Sequence, residues 1–204
     1  MSGWSLINLN CKTNLIFPVP IHQIDVNGFE EIENELIDYC YAMKRQNPIG
    51  VSISNLGGWQ SPSFDVDNKD DLIQYFLINC LSKFSVIKRQ TKMYIRAWIN
   101  INQKENYNAQ HCHPTSHLSG VLWLKTPKNC GNLLFVNPLS FQAFKEIESY
   151  TDEFRFKNNY DHNYCYNAIK GRMIIFPSHL QHSVEPNESY EDRISVSFNI
   201  KLEE

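Results

Sequence analysis

From Met93 onward the hydrophobic period changes from that of a helix to that of a strand, and this change limits the possible folds most. Met93, Ile95, Ala97, Ile99 and Ile101 alternate with Tyr94, Arg96, Trp98, Asn100 and Asn102. Successive strand side chains point to opposite faces, so this run is a strand with one apolar and one polar face. Further strands are expected at 119–125, 132–136, 164–169, 172–176 and 194–202, several parted by turns such as Lys128-Asn129-Cys130-Gly131. Upstream, Ile32, Leu36, Ile37, Cys40 and Met43 share one stripe at helical spacing, which predicts an amphipathic helix over 30–45. Asp70 and Asp71 open a second helix whose apolar face carries Leu72, Ile73, Phe76, Leu77, Cys80, Leu81 and Phe84. A short strand-like piece at 15–20 precedes both, and the glycines and proline of 55–62 break regularity between them. Residues 150–163, polar and dotted with aromatics, lack a period and are expected to form a long loop over the mouth of a barrel. Two helices followed by many short strands predict a mainly β (α+β) fold, a sandwich or barrel with the helices packed on one face. The helical part covers about 1–90 and the β core about 91–204.

With 204 residues, 42% of them hydrophobic, the chain suits one domain with a sizeable core. A net charge of -3 supplies no broad basic field, so neither nucleic acid nor an anionic membrane is an expected partner. No window reaches the roughly 18 apolar residues of a membrane span. Met1-Ser2-Gly3-Trp4 lacks the charged start of a signal peptide, so a cytoplasmic location is expected. Cys11, Cys40, Cys80, Cys112, Cys130 and Cys165 are scattered without a C-x-x-C, so they are expected to be reduced and mostly buried.

The chemistry concentrates in four pieces. His111-Cys112-His113 places two imidazoles on one side of an extended chain. His182 follows Phe176-Pro177-Ser178 just past a strand, where antiparallel folding can bring it across from the first pair. Neutral imidazole suits Fe(II), Zn(II), Cu(II) or Ni(II) better than magnesium or calcium, and three protein ligands leave catalytic positions open. Arg193 and Ser195 share a strand face, where a planar guanidinium fork and a hydroxyl can grip a carboxylate together. Each piece is bland alone, since an Arg on a strand is more often a surface residue paired with a neighbour such as Glu191 or Asp192. Their order supplies the weight. Trp98, Asn100, Asn102 and Trp123 could line the pocket, with core packing the commoner fate for the tryptophans. Tyr94 could add a hydroxyl to the clamp, while His117 and His179 suit supporting or surface roles.

In this order the chain resembles the 2-oxoglutarate and Fe(II)-dependent oxygenases, whose usual pattern is His-x-Asp, a distal His, and Arg-x-Ser on a following strand. It is most similar to a group of these common in marine bacteria and their phages. The resemblance rests on 54–61, on 108–114 with His111-Cys112-His113-Pro114, and on Ser119-Gly120-Val121 and Gly131-Asn132-Leu133. It extends through Phe176-Pro177-Ser178 and 182–186 to 193–199, most of the chain. It implies a double-stranded β-helix, the cupin-like jelly roll. It also implies a dioxygenase in which His111, His113 and His182 bind Fe(II) and Arg193 and Ser195 serve 2-oxoglutarate, which reacts with O2 to give succinate and CO2, with hydroxylation of a substrate as the default outcome. One departure stands out, because His113 occupies the place of a carboxylate. His113 can ligate, it can turn away and leave water or an anion there, or Glu185 can supply the carboxylate; the first is favoured. A cupin-like three-histidine enzyme without 2-oxoglutarate and a non-catalytic jelly-roll binding or phage accessory protein are the alternatives.

Overall fold

The structure is a computed structural model that describes residues 12–15, 18–139 and 146–203. Its spine is the antiparallel ladder of β5 (Lys92–Asn102) with β12 (Arg193–Glu203), in register from Lys92 opposite Glu203 to Asn102 opposite Arg193. β7 (Leu118–Lys125) lies on the other side of β12, followed by β10 (Arg172–Pro177) and β1 (His22–Asp25). The two-residue strands β3 (Trp59–Gln60) and β4 (Phe64–Asp65) add to the free side of β5 and complete the larger sheet. The smaller sheet runs β2 (Asn55–Leu56), β6 (Tyr107–His111), β11 (His182–Val184), β8 (Leu133–Val136) and β9 (Asn163–Tyr166). From β5 to β12 the chain passes back and forth between the two sheets, the topology of a double-stranded β-helix.

Alternation assigns the two faces of the spine. Ala97, Ile99, Ile101, Val196, Phe198 and Ile200 point one way and are buried against α1 (Glu33–Gln46) and α2 (Leu72–Ser82). The helices answer with Leu36, Cys40, Ile73, Leu77 and Leu81. Each fully buried Leu or Ile of this layer stabilises by roughly 1.5–3 kcal/mol, which holds the helices to one face of the larger sheet. Asp71 caps α2 by accepting from the Gln74 N–H at 3.0 Å, and it also accepts the Tyr39 hydroxyl, which ties α1 to α2. The opposite face of the spine looks between the sheets and carries Asn100, Asn102, Arg193 and Ser195. A smaller core of Val121, Trp123, Leu133, Phe135, Ile174 and Phe176 fills the rest of that space.

Several expectations change. The first strand forms at His22–Asp25, after the expected piece at 15–20, of which 16–17 lie outside the described residues. The N-terminal part is not only helical, because β1 to β4 all enter the sheets. Within the expected loop at 150–163 stands α3 (Asp152–Asn158), capped by Thr151, whose hydroxyl accepts from Phe154 N–H at 3.2 Å. Of the described cysteines, all free, Cys40 and Cys130 are buried, Cys80 and Cys112 intermediate and Cys165 exposed, so burial is less general than expected; Cys11 and the N-terminal residues 1–4 lie outside the described residues. No helix among the described residues is long and apolar enough to cross a membrane.

Candidate metal and anion site

Strand register brings the histidines together. β11 pairs antiparallel with β6 so that His182 lies directly opposite His111, and the register shifts between His182 and Val184. His113 stands just beyond the end of β6, where its backbone N–H donates to the Ser178 carbonyl at 2.8 Å. One nitrogen from each of His111, His113 and His182 lies within 4.8 Å of the others. The ring centroids are 4.3 Å apart for His111 and His182, 4.9 Å for His111 and His113, and 5.2 Å for His113 and His182. His111 Nδ1 lies 2.7 Å from the Ala109 carbonyl and His182 Nδ1 2.8 Å from the Leu180 carbonyl. A carbonyl only accepts, so each neutral ring carries its proton on Nδ1 and keeps the Nε2 lone pair free. Carbonyl partners of this kind fix the tautomer and orientation of metal-binding histidines.

Burial sets the charge of the cluster. Desolvation pulls the His182 pKa down to about 3 and, with the nearby His111 ring, the His113 pKa down to about 4; burial also lowers that of His111. All three rings are therefore neutral at physiological pH, with lone pairs available. Each folded-state value lies below the ordinary 6.5, so the unfolded chain takes up protons first as pH falls. The metal-free protein is expected to be most stable above about pH 6.5 and to lose stability progressively as the pH falls toward about 4. Urea midpoints measured between pH 7.5 and 4.5 check this, and the loss should shrink in a variant carrying Asn at all three histidine positions.

Arg193 and Ser195 line the same inter-sheet cavity. Arg193 is 1% exposed, and its Nη1 donates to the carbonyls of Cys130 and, at 2.9 Å, Glu185. Gly131 permits this approach: with φ at +79°, its backbone passes so close that a Cβ there would sit 2.9 Å from Nη1. Burial draws the Arg193 pKa down to about 10, which still leaves it a cation at neutral pH. Its Nη2 is buried without a hydrogen-bond partner among the described residues. Across the ladder, Asn102 Nδ2 and Asn100 Oδ1 are also buried and unpartnered among the described residues. Asn100 Nδ2 donates to Ser197 Oγ at 3.0 Å, and because a hydroxyl can donate as well as accept, a flipped Asn100 amide would keep that bond and turn a second N–H outward. Buried polar groups without partners are costly, so their concentration in one cavity with a guanidinium points to a ligand rich in acceptors.

His111, His113, His182, Arg193 and Ser195 thus line one cavity. Tyr94 does not. It shares a strand face with Asn102 but pairs with Lys201 at the far end of the ladder, eight residues from the partner of Arg193, or roughly 27 Å at strand rise. It is 51% exposed and lines a separate polar groove with Arg96 and Lys201, which removes it from the clamp. Glu185 stays outside the histidine cluster, its carboxylate accepting the Asn132 N–H at 3.1 Å. Cys112 is not among the grouped ligands, and His117 and His179 are exposed at the surface. Trp98 and Trp123 both line the cavity, Trp98 with its ring 5.7 Å from that of His113. Asn108 and Ser54, joined by a 3.3 Å hydrogen bond, line it as well; sequence reasoning passed over their side chains, which lie in short segments without a clear period.

A family model described as "Putative 2OG-Fe(II) oxygenase" matches residues 96–199, which contain all five of these residues. No curated protein sequence matches the chain. Among solved structures, a Pseudomonas putida prolyl-4-hydroxylase is similar at 11% identity and a TM-score of 0.61, over 90% of this chain and 92% of that one. A Trichoplax adhaerens prolyl hydroxylase, solved with a peptide fragment of hypoxia inducible factor, is similar at 13% identity and TM-score 0.60, over 89% and 83% of the two chains. HygX from Streptomyces hygroscopicus, solved with nickel and 2-oxoglutarate bound, is similar at 7% identity and TM-score 0.52, over 90% and 82%. At these identities the likeness establishes the fold, the double-stranded β-helix described above.

Proposed function

Because the chain belongs to the 2OG-Fe(II) oxygenase family, oxidoreductases that use Fe(II), 2-oxoglutarate and O2, we propose that His111, His113 and His182 hold the iron and that Arg193 and Ser195 grip the distal carboxylate of 2-oxoglutarate. The observation that carries this reading is Arg193 Nη2, a charged donor buried without a partner in the cavity that the histidines line. The donor set suits the groups. Three neutral imidazoles match Fe(II) in ligand softness and leave coordination positions open, and the unpartnered N–H groups of Arg193 and Asn102 match a ligand that offers only acceptors.

When bound, iron and 2-oxoglutarate supply the oxidising chemistry, consuming O2 and releasing succinate and CO2. The chain's own residues position and shield. His111 and His182 are held in one tautomer by Ala109 and Leu180, so their lone pairs need no reorientation. Arg193, anchored on two carbonyls through Nη1, presents Nη2 at a fixed depth. Trp98, Trp123 and Phe176 wall the cavity with rings that keep water from the cluster. Hydroxylation is the outcome we assign, in a cytoplasmic protein, and the sequence resemblance favours a phage or marine bacterial origin. His113, placed with the other two rings and far less constrained than Glu185, takes the position of the usual carboxylate.

An anaerobic titration with Fe(II) and 2-oxoglutarate, followed by admission of O2 and a succinate assay, tests the proposal. Slow succinate release without any added substrate is the expected result. Iron binding with no effect of 2-oxoglutarate would return the site to the cupin-like alternative.

A further inference from the structure

A second cavity of about 320 Å³ opens beside the histidines. Phe135, Tyr164 and Tyr166 from β8 and β9 form one wall, and Val19 and Ile21 from the segment before β1 form another. It shares a boundary with the metal site at two points. Phe135 is the strand partner of His182, with ring centroids 6.2 Å apart, and Leu180, which lines the cavity, accepts the His182 Nδ1 hydrogen bond at 2.8 Å. A molecule packed on the far side of the Phe135 ring would lie on the order of 10 Å from the histidines at ordinary contact distances.

Its lining specifies a chemistry. Leu15, Leu139 and Tyr164 on the rim are 52%, 62% and 38% exposed, apolar surface left facing water around a concavity, which marks ligand sites more than stable protein surface. The charged group present is already satisfied, since Asp161 accepts from Arg155 at 2.6 Å. The Tyr160 hydroxyl is likewise engaged, donating to Glu146 at 2.9 Å. The hydroxyls of Tyr164 and Tyr166, in contrast, make no hydrogen bond among the described residues, and they suit a carbonyl or hydroxyl on a ligand.

We infer that this cavity is a binding site for a neutral aromatic or cyclic molecule carrying an acceptor such as a carbonyl, set apart from the histidines by the Phe135 ring and Leu180. The volume suits a compound of roughly a dozen heavy atoms. An anionic analogue of the same shape finds no free cation among the described residues that line the cavity, and no compensation there for its desolvation.

The test is a fluorine NMR titration of the full chain with 4-fluoroacetophenone and its anionic counterpart 4-fluorobenzoate, on metal-free protein and on protein loaded with Zn(II) or paramagnetic Co(II). The ketone should bind at one site with a sub-millimolar dissociation constant, and the benzoate at least about tenfold more weakly. Leu139→Asp and Tyr164→Ala, both at exposed positions that should leave folding intact, should each weaken the ketone by about tenfold. Replacing Zn(II) with Co(II) should strongly broaden the signal of the bound ketone. Absence of saturable ketone binding, or equal binding of both probes, overturns the assigned ligand class. Binding that ignores both variants, or that Co(II) leaves sharp although the metal is bound, overturns the location. A protein that binds no metal in a direct titration overturns the iron reading alone, and the metal-free titration then still judges the cavity's ligand class.

Discussion

Arg193→Leu is expected to remove measurable 2-oxoglutarate binding, a loss of about a hundredfold or more, while metal binding at the histidines persists. The guanidinium is buried and anchored, so the dicarboxylate would meet it without competing water, and losing one partner of a buried charged pair costs about 3–5 kcal/mol. Stability without cosubstrate should change much less, because two effects oppose. The carbonyls of Cys130 and Glu185 lose their donor, at about 1–3 kcal/mol for each group left unsatisfied. Against this, the wild-type protein carries an unpartnered buried Nη2 and its desolvated charge, a burden that leucine lifts. The sharpest readout is therefore the gain in melting temperature on adding 2-oxoglutarate to Zn(II)-loaded protein, large in wild type and absent in the variant. Arg193→Lys separates charge from shape: lysine keeps the cation but lacks the planar fork, and an intermediate affinity is expected. Calorimetric titration that finds wild-type affinity in Arg193→Leu would assign the anion site elsewhere.

The long ladder and both large helices are legible in the sequence because each runs long enough to display its period. β5 and β12 have eleven residues each and α1 has fourteen, against two for each of β2, β3 and β4. A two-residue strand has no period, and β11, three residues long, is recognisable only through His182. α3 carried conventional signals, with Thr151 at its cap and Asp152 and Glu153 in its first turn, but seven residues with no buried side chain leave no apolar stripe to detect. Tyr94 illustrates a different limit. Period two correctly assigns it to the polar face of β5, yet face says nothing of depth, and only the pairing with Lys201 reveals how far along the ladder it lies. The histidines and Arg193 were readable because two of the histidines stand two residues apart at the end of one strand, and because the resemblance fixed the order of the rest.

His182→Ala should be the most damaging single change to metal loading, and His113→Asp the most instructive. His182 is 4% exposed, its ring packs edge-on against Phe176 at 4.7 Å, and its lone pair is oriented by Leu180. Removing one of three imidazoles from a site that offers no spare ligand among the described residues should weaken metal binding by about a hundredfold or more. His113→Ala should weaken it less, since its ring is less buried and no carbonyl among the described residues fixes its tautomer. Aspartate at 113 would restore a ligand and set a negative charge beside the ion, so metal affinity should be retained or rise. Cosubstrate affinity should move the other way. With three neutral ligands a divalent ion keeps its full charge toward the 2-oxoglutarate dianion, whereas a carboxylate ligand cancels part of it, so His113→Asp is expected to raise the 2-oxoglutarate dissociation constant several-fold at low salt. Metal and cosubstrate affinities moving in opposite directions in one variant would identify His113 as a ligand on electrostatic grounds. Unchanged values for both would mean that His113 turns away from the metal, and that the neutral three-histidine face is a feature of packing alone.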